Sequence, residues 1–404
     1  MKHNINIVLN NATSAEDMLL AYLRKLLTEM EETKNYIEGV AMAVDILNKY
    51  NMEIPKKITK AYIVKEEMKL KLAMRNKSYS CLADLPLCHK TYDPLFALFR
   101  QLLLLSMWTG NDDMKNVAVW KAIQFAVKEG MGRDLPTIIG FYALSNIGKV
   151  QTAQELGNVA VAMLEKLPGD VEIRAFTNSI VHGCVLPQLQ PFASSLDPLA
   201  QAHKDLKLVG GDVDSTFGSM LGYFECYFAA GLELGPLLES KLSVVEELAT
   251  NLDRSSWVTS FQIYRQFALN LRKRMDKPTA FQGEAFNEEK ELSTMIESKR
   301  KMAFRDSSSK RLNLAFVFWD EEVMIQMLDN LKEYPTKDMA FPRIYNRLCY
   351  TGLAIFALSH RKESASFAKL GKSVSVLWYC MLLLSTIVVS LQLTLILFPS
   401  NNSV

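Results

Sequence analysis

The sequence predicts an all-α protein, organised as a solenoid of stacked helical hairpins with one C-terminal transmembrane helix. Apolar residues recur at helical spacing along most of the 404 residues, and the two-residue alternation of a half-buried strand is nearly absent. Short polar turns that contain Gly or Pro separate the helical patterns. From Ser373 onward, the chain carries no Asp, Glu, Lys or Arg.

The first strong helical pattern begins at Ser14, a candidate N-cap with Asp17 three residues further on, and continues to Met30. Two more patterns follow over 36–47 and 58–74. The segment 95–108 is almost wholly apolar, which predicts a helix buried on most sides. The same spacing predicts helices over 116–127, 137–147, 152–167, 171–181, 195–208, 214–230, 237–252, 257–271, 313–331 and 343–358.

The turns between these helices favour a repeating array. Gly110, Gly130, Gly169 and Gly210 each lie in a short polar turn, where a glycine lets one helix end, and most of these turns contain an Asp or Asn that can cap the next helix. Pairs of helices between the stops span about forty residues, a period typical of helix-hairpin repeats. Such hairpins bury their apolar faces by stacking on one another, which predicts a solenoid. The alternative is an irregular helical bundle.

Composition divides the chain into four parts. Residues 1–276 form the main helical array, and 277–311 form a charge-rich helix and loop that connects it to the closing helices at 312–372. Residues 373–404 contain the apolar run 374–398, which is longer than the ~30 Å hydrocarbon core of a bilayer.

The apolar run predicts a single-pass membrane anchor with the bulk of the chain in the cytoplasm. Aromatic residues near one end and basic residues just before the run are typical of such an anchor. The alternatives are translated intron sequence in place of a further repeat, or a buried soluble helix. The residues predicted to lie in the membrane include Val374, Trp378, Tyr379, Leu384, Val389, Leu395 and Phe398. Those predicted to flank it on the cytosolic side are Arg361, Lys362, Lys369 and Lys372.

Charge and cysteine content argue against several classes of function. The net charge of +2 provides no general attraction to nucleic acid. The six cysteines are scattered without the two-residue spacing of zinc or redox sites, which favours reduced thiols in a cytosolic compartment. We therefore expect no cofactor and no metal.

Few residues suggest catalysis. His182 and Cys184 resemble a nucleophile and its base, but two residues apart on a helix they point in different directions, which favours a buried structural pair. Cys81, Cys88 and His89 cluster around a polar turn, and a zinc site there would need a fourth ligand from elsewhere. Helical spacing predicts packing roles for the aromatic residues Trp108, Trp120, Tyr223 and Phe224.

Two charged groups are predicted to be solvated. The basic stretches 299–301 and 310–311 resemble a bipartite nuclear localisation signal or a phosphate-binding patch, but an exposed helix face is the simpler interpretation. The acidic pairs at 288–289 and 321–322 also lie in charged segments, where the desolvation that a general acid needs is not expected.

Several segments of the sequence resemble a known protein family. The segment 208–237, LVGGDVDSTFGSMLGYFECYFAAGLELGPL, resembles a repeat of the tetratricopeptide-like region of large predicted ATPase signalling proteins of the AAA or STAND type. The segment 35–55 resembles the start of that array, and 316–331 and 343–358 resemble its closing repeats. The resemblance implies a right-handed superhelix that relays between an ATPase switch and an output module.

The chain departs from those proteins in lacking a phosphate-binding loop. The one Gly-Lys-Ser, at 371–373, has Ser366 where the first Gly of that motif belongs. The resemblance therefore implies the array without its ATPase or kinase. The sequence predicts a non-catalytic scaffold that binds a protein or peptide in a concave groove. The alternatives are a hydrolase or transferase whose site is assembled from distant residues, or a truncated remnant of a larger ATPase signalling protein.

Overall fold

The chain folds as an all-α protein in a computed structural model that describes residues 2–33, 35–75, 77–188, 190–208, 213–291, 301–332 and 343–361. Within these ranges no strand is formed, and the pairs Leu87–Met131 and Gln282–Asn287 make isolated bridges. The all-α part of the predicted fold class is confirmed.

The helices of the first half of the chain are α1 (Lys2–Asn11), α2 (Ala15–Thr33), α3 (Tyr36–Lys49), α4 (Lys60–Ala73), α5 (Asp93–Trp108), α6 (Asp112–Glu129), α7 (Leu135–Ser145), α8 (Val150–Met163) and α9 (Val171–Ile180). Those of the second half are α10 (Leu196–Leu208), α11 (Val213–Ala229), α12 (Leu234–Leu237), α13 (Ser243–Asn251), α14 (Ser255–Arg272), α15 (Lys301–Val317), α16 (Glu321–Lys332) and α17 (Arg343–Arg361).

The chain divides into two compact units. Unit 1 comprises Met1–Leu189 with Gln201–Ser215, and unit 2 comprises Gln190–Ala200 with Thr216–Val404. The connector that composition predicts at 277–311 therefore lies within unit 2.

Unit 1 has a continuous apolar core. Helices that follow one another pack together, with α1 on α2, α5 on α6 and α7 on α8. The fourth helix is an exception, because α3 packs directly on α5 and α4 packs on α6. The burial predicted for the almost wholly apolar segment 95–108 is confirmed, since Phe96, Phe99 and Leu102 of α5 are fully covered. Trp120 of α6 is also buried, as its spacing predicts.

Local signals in the sequence place several helix ends correctly. Ser14 Oγ accepts a hydrogen bond from the Asp17 backbone N at 3.0 Å, and Asp170 Oδ1 caps α9 by accepting from Ile173 N at 3.1 Å. Gly130 ends α6 with φ 98°. A Cβ at this glycine would lie 2.8 Å from Pro86 O, so a larger residue is excluded by space as well as by conformation.

Unit 2 is built around aromatic side chains of α11 and α14. Phe217, Phe224 and Phe228 of α11 contact Phe261, Tyr264 and Phe267 of α14, with ring centroids 5.1–6.4 Å apart. The packing role predicted for Tyr223 and Phe224 is confirmed, because both are buried.

The structure also departs from the predicted helix bounds. The segment 313–331 is not one helix, since α15 begins at Lys301 and ends at Val317, and Trp319 adopts φ 60° before α16 starts. Asp320 caps the new helix by accepting from Val323 N at 3.2 Å, a local turn that apolar spacing does not register. In addition, α9 continues into a π-helical turn, Val181–Val185.

Candidate functional site

Helix α4 carries several exposed apolar side chains on one face. Val64, Met68 and Leu72 are 54%, 65% and 66% exposed, and Ala61 is exposed beside them. We call these four residues the α4 outer face. A contiguous exposed apolar stripe is a candidate interaction site.

The α4 outer face lies opposite the side of the helix that packs on the protein. At about 3.6 residues per turn, positions 61, 64, 68 and 72 form one stripe along the helix axis. Positions 66 and 70, which are buried, lie on the other side. The helix is therefore apolar on two faces, of which only one is covered.

Basic side chains border the stripe. Lys60, Lys65, Lys71 and Arg75 are exposed around it. Of the two carboxylates of α4, Glu66 is fully buried and Glu67 offsets the charge of Lys71, with which it pairs at 2.7 Å. The positive excess of the border therefore comes from Lys60, Lys65 and Arg75. The outer face thus combines an apolar stripe with a positive border.

The inner face of α4 is held by a buried ion pair. Glu66 Oε2 lies 3.2 Å from Nζ of Lys121 on α6, and Glu66 Oε1 lies 3.1 Å from Nζ of Lys69. Gln124 Nε2 of α6 donates to the Glu66 backbone O at 3.1 Å. These contacts fix α4 on α6 and therefore fix the orientation of the outer face.

The electrostatics of this pair follow from burial and charge. Burial alone would raise the pKa of Glu66, but the ammonium groups of Lys69 and Lys121 outweigh it and hold the pKa below its ordinary value. Burial lowers the pKa of Lys121, an effect that the Glu66 carboxylate partly offsets.

A second apolar surface lies between α1 and α2. A cavity of about 280 Å³ is lined there by Ile5, Val8 and Leu20, together with Asp17 and Arg24. Because its two charged residues have opposite signs, this cavity carries no net preference for an acidic or a basic partner.

Unit 2 contains a buried cluster of ionisable groups, formed by Glu225, Tyr264, Lys310 and Asn346, which we call the Glu225 cluster. Glu225 Oε1 accepts from Tyr264 Oη, and Oε2 accepts from Lys310 Nζ at 3.1 Å and from Asn346 Nδ2 at 2.8 Å. The Lys310 ammonium also lies 4.5 Å from the Tyr264 ring centroid.

The chemistry open to the Glu225 cluster is limited by its enclosure. The side chains of Lys310 and Glu225 are only 4% and 2% exposed. Both carboxylate oxygens already accept hydrogen bonds, so the geometry is that of a satisfied internal ion pair. A hydrolase or transferase would need such groups to meet a substrate, and here they face one another and aromatic rings.

The structure overturns the predicted exposure of three charged residues, Lys310, Arg311 and Glu288. Lys310 and Arg311 were predicted on a solvated helix face, but Lys310 is buried and Arg311 pairs with Glu288 at 2.6 Å, with both of these side chains about 15% exposed or less. Glu288 is therefore not freely exposed either, unlike its neighbour Glu289. The physical reason is that these charges find partners far away in sequence, which local composition does not reveal.

The other sequence candidates occupy ordinary packing positions. Cys184 is buried, and burial lowers the pKa of His182 to about 4. His89 Nδ1 lies 3.0 Å from Thr91 Oγ1 and accepts from the Thr91 backbone N, which caps a short 3₁₀ turn. Burial and the nearby Asp93 carboxylate raise the pKa of Cys88 to about 11. Across the described ranges, no three His, Cys, Asp or Glu side chains come together as a metal site.

The predicted membrane anchor lies outside the described residues, as do Lys299, Arg300, Lys362, Lys369 and Lys372. Arg361 is the last residue of α17. None of the helices in the described part of the chain is long and apolar enough to cross a bilayer.

Comparisons with known proteins add no relative. No family model, no curated protein and no solved structure matches this chain. The likeness to tetratricopeptide-like regions of ATPase signalling proteins therefore stays a prediction from the sequence.

The α4 outer face was not predicted from the sequence, although a signal for it exists. Apolar residues occur on two opposite sides of the 58–74 pattern, at 64, 68 and 72 and again at 63, 70 and 74. One of these two sides has to find a partner, and only the packing of α4 on α6 shows which side is covered.

Proposed function

We propose that this protein is a non-catalytic helical scaffold that binds a protein partner. The observation that carries this proposal is the α4 outer face, an exposed apolar stripe on a helix that is fixed from behind by Glu66. Proteins built from stacked helical hairpins commonly act by binding partners on their extended surfaces.

The helical packing supports a tetratricopeptide-like solenoid within this proposal. In unit 1, α1 packs on α2, α5 on α6 and α7 on α8, as successive helices do in repeat arrays, while α3 packs on α5 and α4 on α6. The enclosed Glu225 cluster supports a structural role for the ionisable groups that come together in unit 2. We propose further that the run 374–398 anchors the protein in a membrane, with the bulk of the chain in the cytoplasm.

Site-specific photo-crosslinking tests partner binding. A photoreactive amino acid at position 68 should yield a discrete protein adduct in cells of the source organism. The matched control is position 150 on α8, where Val150 is 52% exposed but has no apolar stripe around it. Adducts of equal yield and pattern from both positions, or none from position 68, would contradict the proposal.

The anchor is tested separately by carbonate extraction. The full chain should stay with the membrane pellet, and a chain ending at Lys372 should move to the supernatant. Release of both chains would show that the anchor proposal is wrong and would leave partner binding at α4 unaffected.

A further inference from the structure

We infer that the partner of the α4 outer face is an acidic amphipathic helix, which packs lengthwise against α4. This inference rests on the proposed scaffold function and deepens it by naming the chemistry of the partner. It is carried by the shape of the apolar stripe, the sign of its border and the rigidity of its support.

The stripe has the width of a helix–helix seam. It presents about one apolar side chain per turn, at 61, 64, 68 and 72, over roughly 17 Å at 1.5 Å of rise per residue. A seam of this width suits a second helix with apolar residues three and four positions apart. A helix that lies in a bilayer interface has a broader apolar face, commonly with large aromatic residues, which the α4 outer face lacks.

The border selects the sign of the partner. Lys60 lies on one side of the stripe, where Lys71 is paired with Glu67, and Lys65 lies on the other side. The residues are placed where the flanking charges of a paired helix interact across the seam, so a partner with Glu or Asp at its own flanks is complementary. A basic partner would meet like charges on both sides.

The support keeps this surface in one orientation. Glu66 binds Lys121 and Lys69 beneath the stripe, and Leu70 is buried against the protein. A preformed and fixed helix loses little conformational entropy when a partner docks on it.

Peptide binding to the purified full chain in detergent tests the inference. The probe is a fluorescent peptide of about three heptads with Leu at the apolar positions and Glu at the flanking positions, and its counterpart carries Lys in place of Glu. We expect the acidic peptide to bind at least tenfold more tightly than the basic one, with a preference that weakens at high salt. Fluorescence anisotropy measures both dissociation constants.

Three variants separate docking from a general loss of folding. Met68→Glu should weaken binding of the acidic peptide at least tenfold, whereas Val150→Glu, at an exposed site on α8, should leave it unchanged. The double variant Lys65→Glu with Lys71→Glu should reverse the preference and favour the basic peptide. If the double variant only damaged the surface, it would bind neither peptide, and its preference would not change from the acidic to the basic peptide.

Three outcomes overturn the inference. These are equal binding of the two peptides, no effect of Met68→Glu, and binding to phosphatidylserine vesicles by a chain ending at Lys372 that ignores the acidic peptide. If the acidic peptide fails while position 68 still gives a protein adduct in cells, the inference is wrong and the scaffold function stands. If position 68 also gives no adduct, the inference and the proposed scaffold function are both wrong.

Discussion

Unit 1 and unit 2 each bury a lysine–glutamate pair, but they surround it differently. In unit 1, Glu66 and Lys121 lie beneath α4, beside a continuous apolar core. In unit 2, Glu225 and Lys310 lie among aromatic rings, and further buried polar residues such as Gln266 and Asn270 accompany them.

The comparison shows two ways of fixing helices in an all-α chain. The core of unit 1 is held mainly by apolar packing, which depends on shape and volume, and the Glu66 contacts add polar links between α4 and α6. The hydrogen bonds of unit 2 require partners at defined positions, so α11, α14, α15 and α17 meet in one register. Removing one member of such a network leaves another buried and unpaired, so single changes should cost more there.

The largest effect is expected for Lys310→Met. This change leaves the Glu225 carboxylate buried without its cation, and we expect a loss of about 3–5 kcal/mol in the free energy of unfolding. The double variant Glu225→Gln with Lys310→Met should recover most of it, because no uncompensated charge remains. Hydrogen exchange of amides in α11 and α14 measures the loss in unit 2.

The matched control for that change is Lys56→Met. The Lys56 side chain is 69% exposed and pairs with Asp45 at the surface, so a change below about 0.5 kcal/mol is expected. Equal losses for the two lysine variants would contradict the contrast between the buried and the exposed pair.

Leu102→Ala probes the apolar core of unit 1. Leu102 is fully buried, and the cavity left behind should cost about 3 kcal/mol, equally at pH 5 and pH 8 since no titratable group changes. The exposed Leu87 provides the control, with little change expected for Leu87→Ala. Equal loss of amide protection in α5 and α14 would contradict the division into two units.

His182 should make unit 1 sensitive to pH. Burial lowers its pKa from 6.5 to about 4, so the folded state binds fewer protons than the unfolded chain between these values. Stability is therefore full above pH 6.5 and falls as the pH drops toward 4, by about 2 kcal/mol at pH 5 relative to pH 7.5.

The His182→Gln variant tests the assignment. Its unfolding free energy should change about 2 kcal/mol less than that of the wild type over the same pH interval, as measured by urea unfolding at each pH. A pH dependence identical to that of the wild type would show that other groups cause it.

A smaller effect is expected for Asp170→Ala. Asp170 caps α9 and lies 2.6 Å from Arg133 Nε, and losing the cap should cost about 1 kcal/mol. Asp113→Ala is the control, because Asp113 is exposed in the first turn of α6 while Asn111 caps that helix. Urea unfolding of both variants separates the cap from a general charge effect.

Much of the helical layout could be predicted because its signals are local. The spacing that predicts the 95–108 helix, the cap at Ser14 and the stop at Gly130 all lie within a few residues of the feature they determine. The turn at Trp319 was missed because an apolar pattern continues across it. The predicted anchor at 374–398 depends on composition alone and stays a prediction.

The sequence by itself determined that the chain is helical and where most of its helices begin and end. Only the tertiary structure decided that Lys310 is buried, since its partner Glu225 lies 85 positions earlier in the chain. It also decided that one apolar side of α4 is covered and the other exposed. The physical reason is that helical periodicity is a property of neighbouring residues, whereas burial depends on which distant helices pack together.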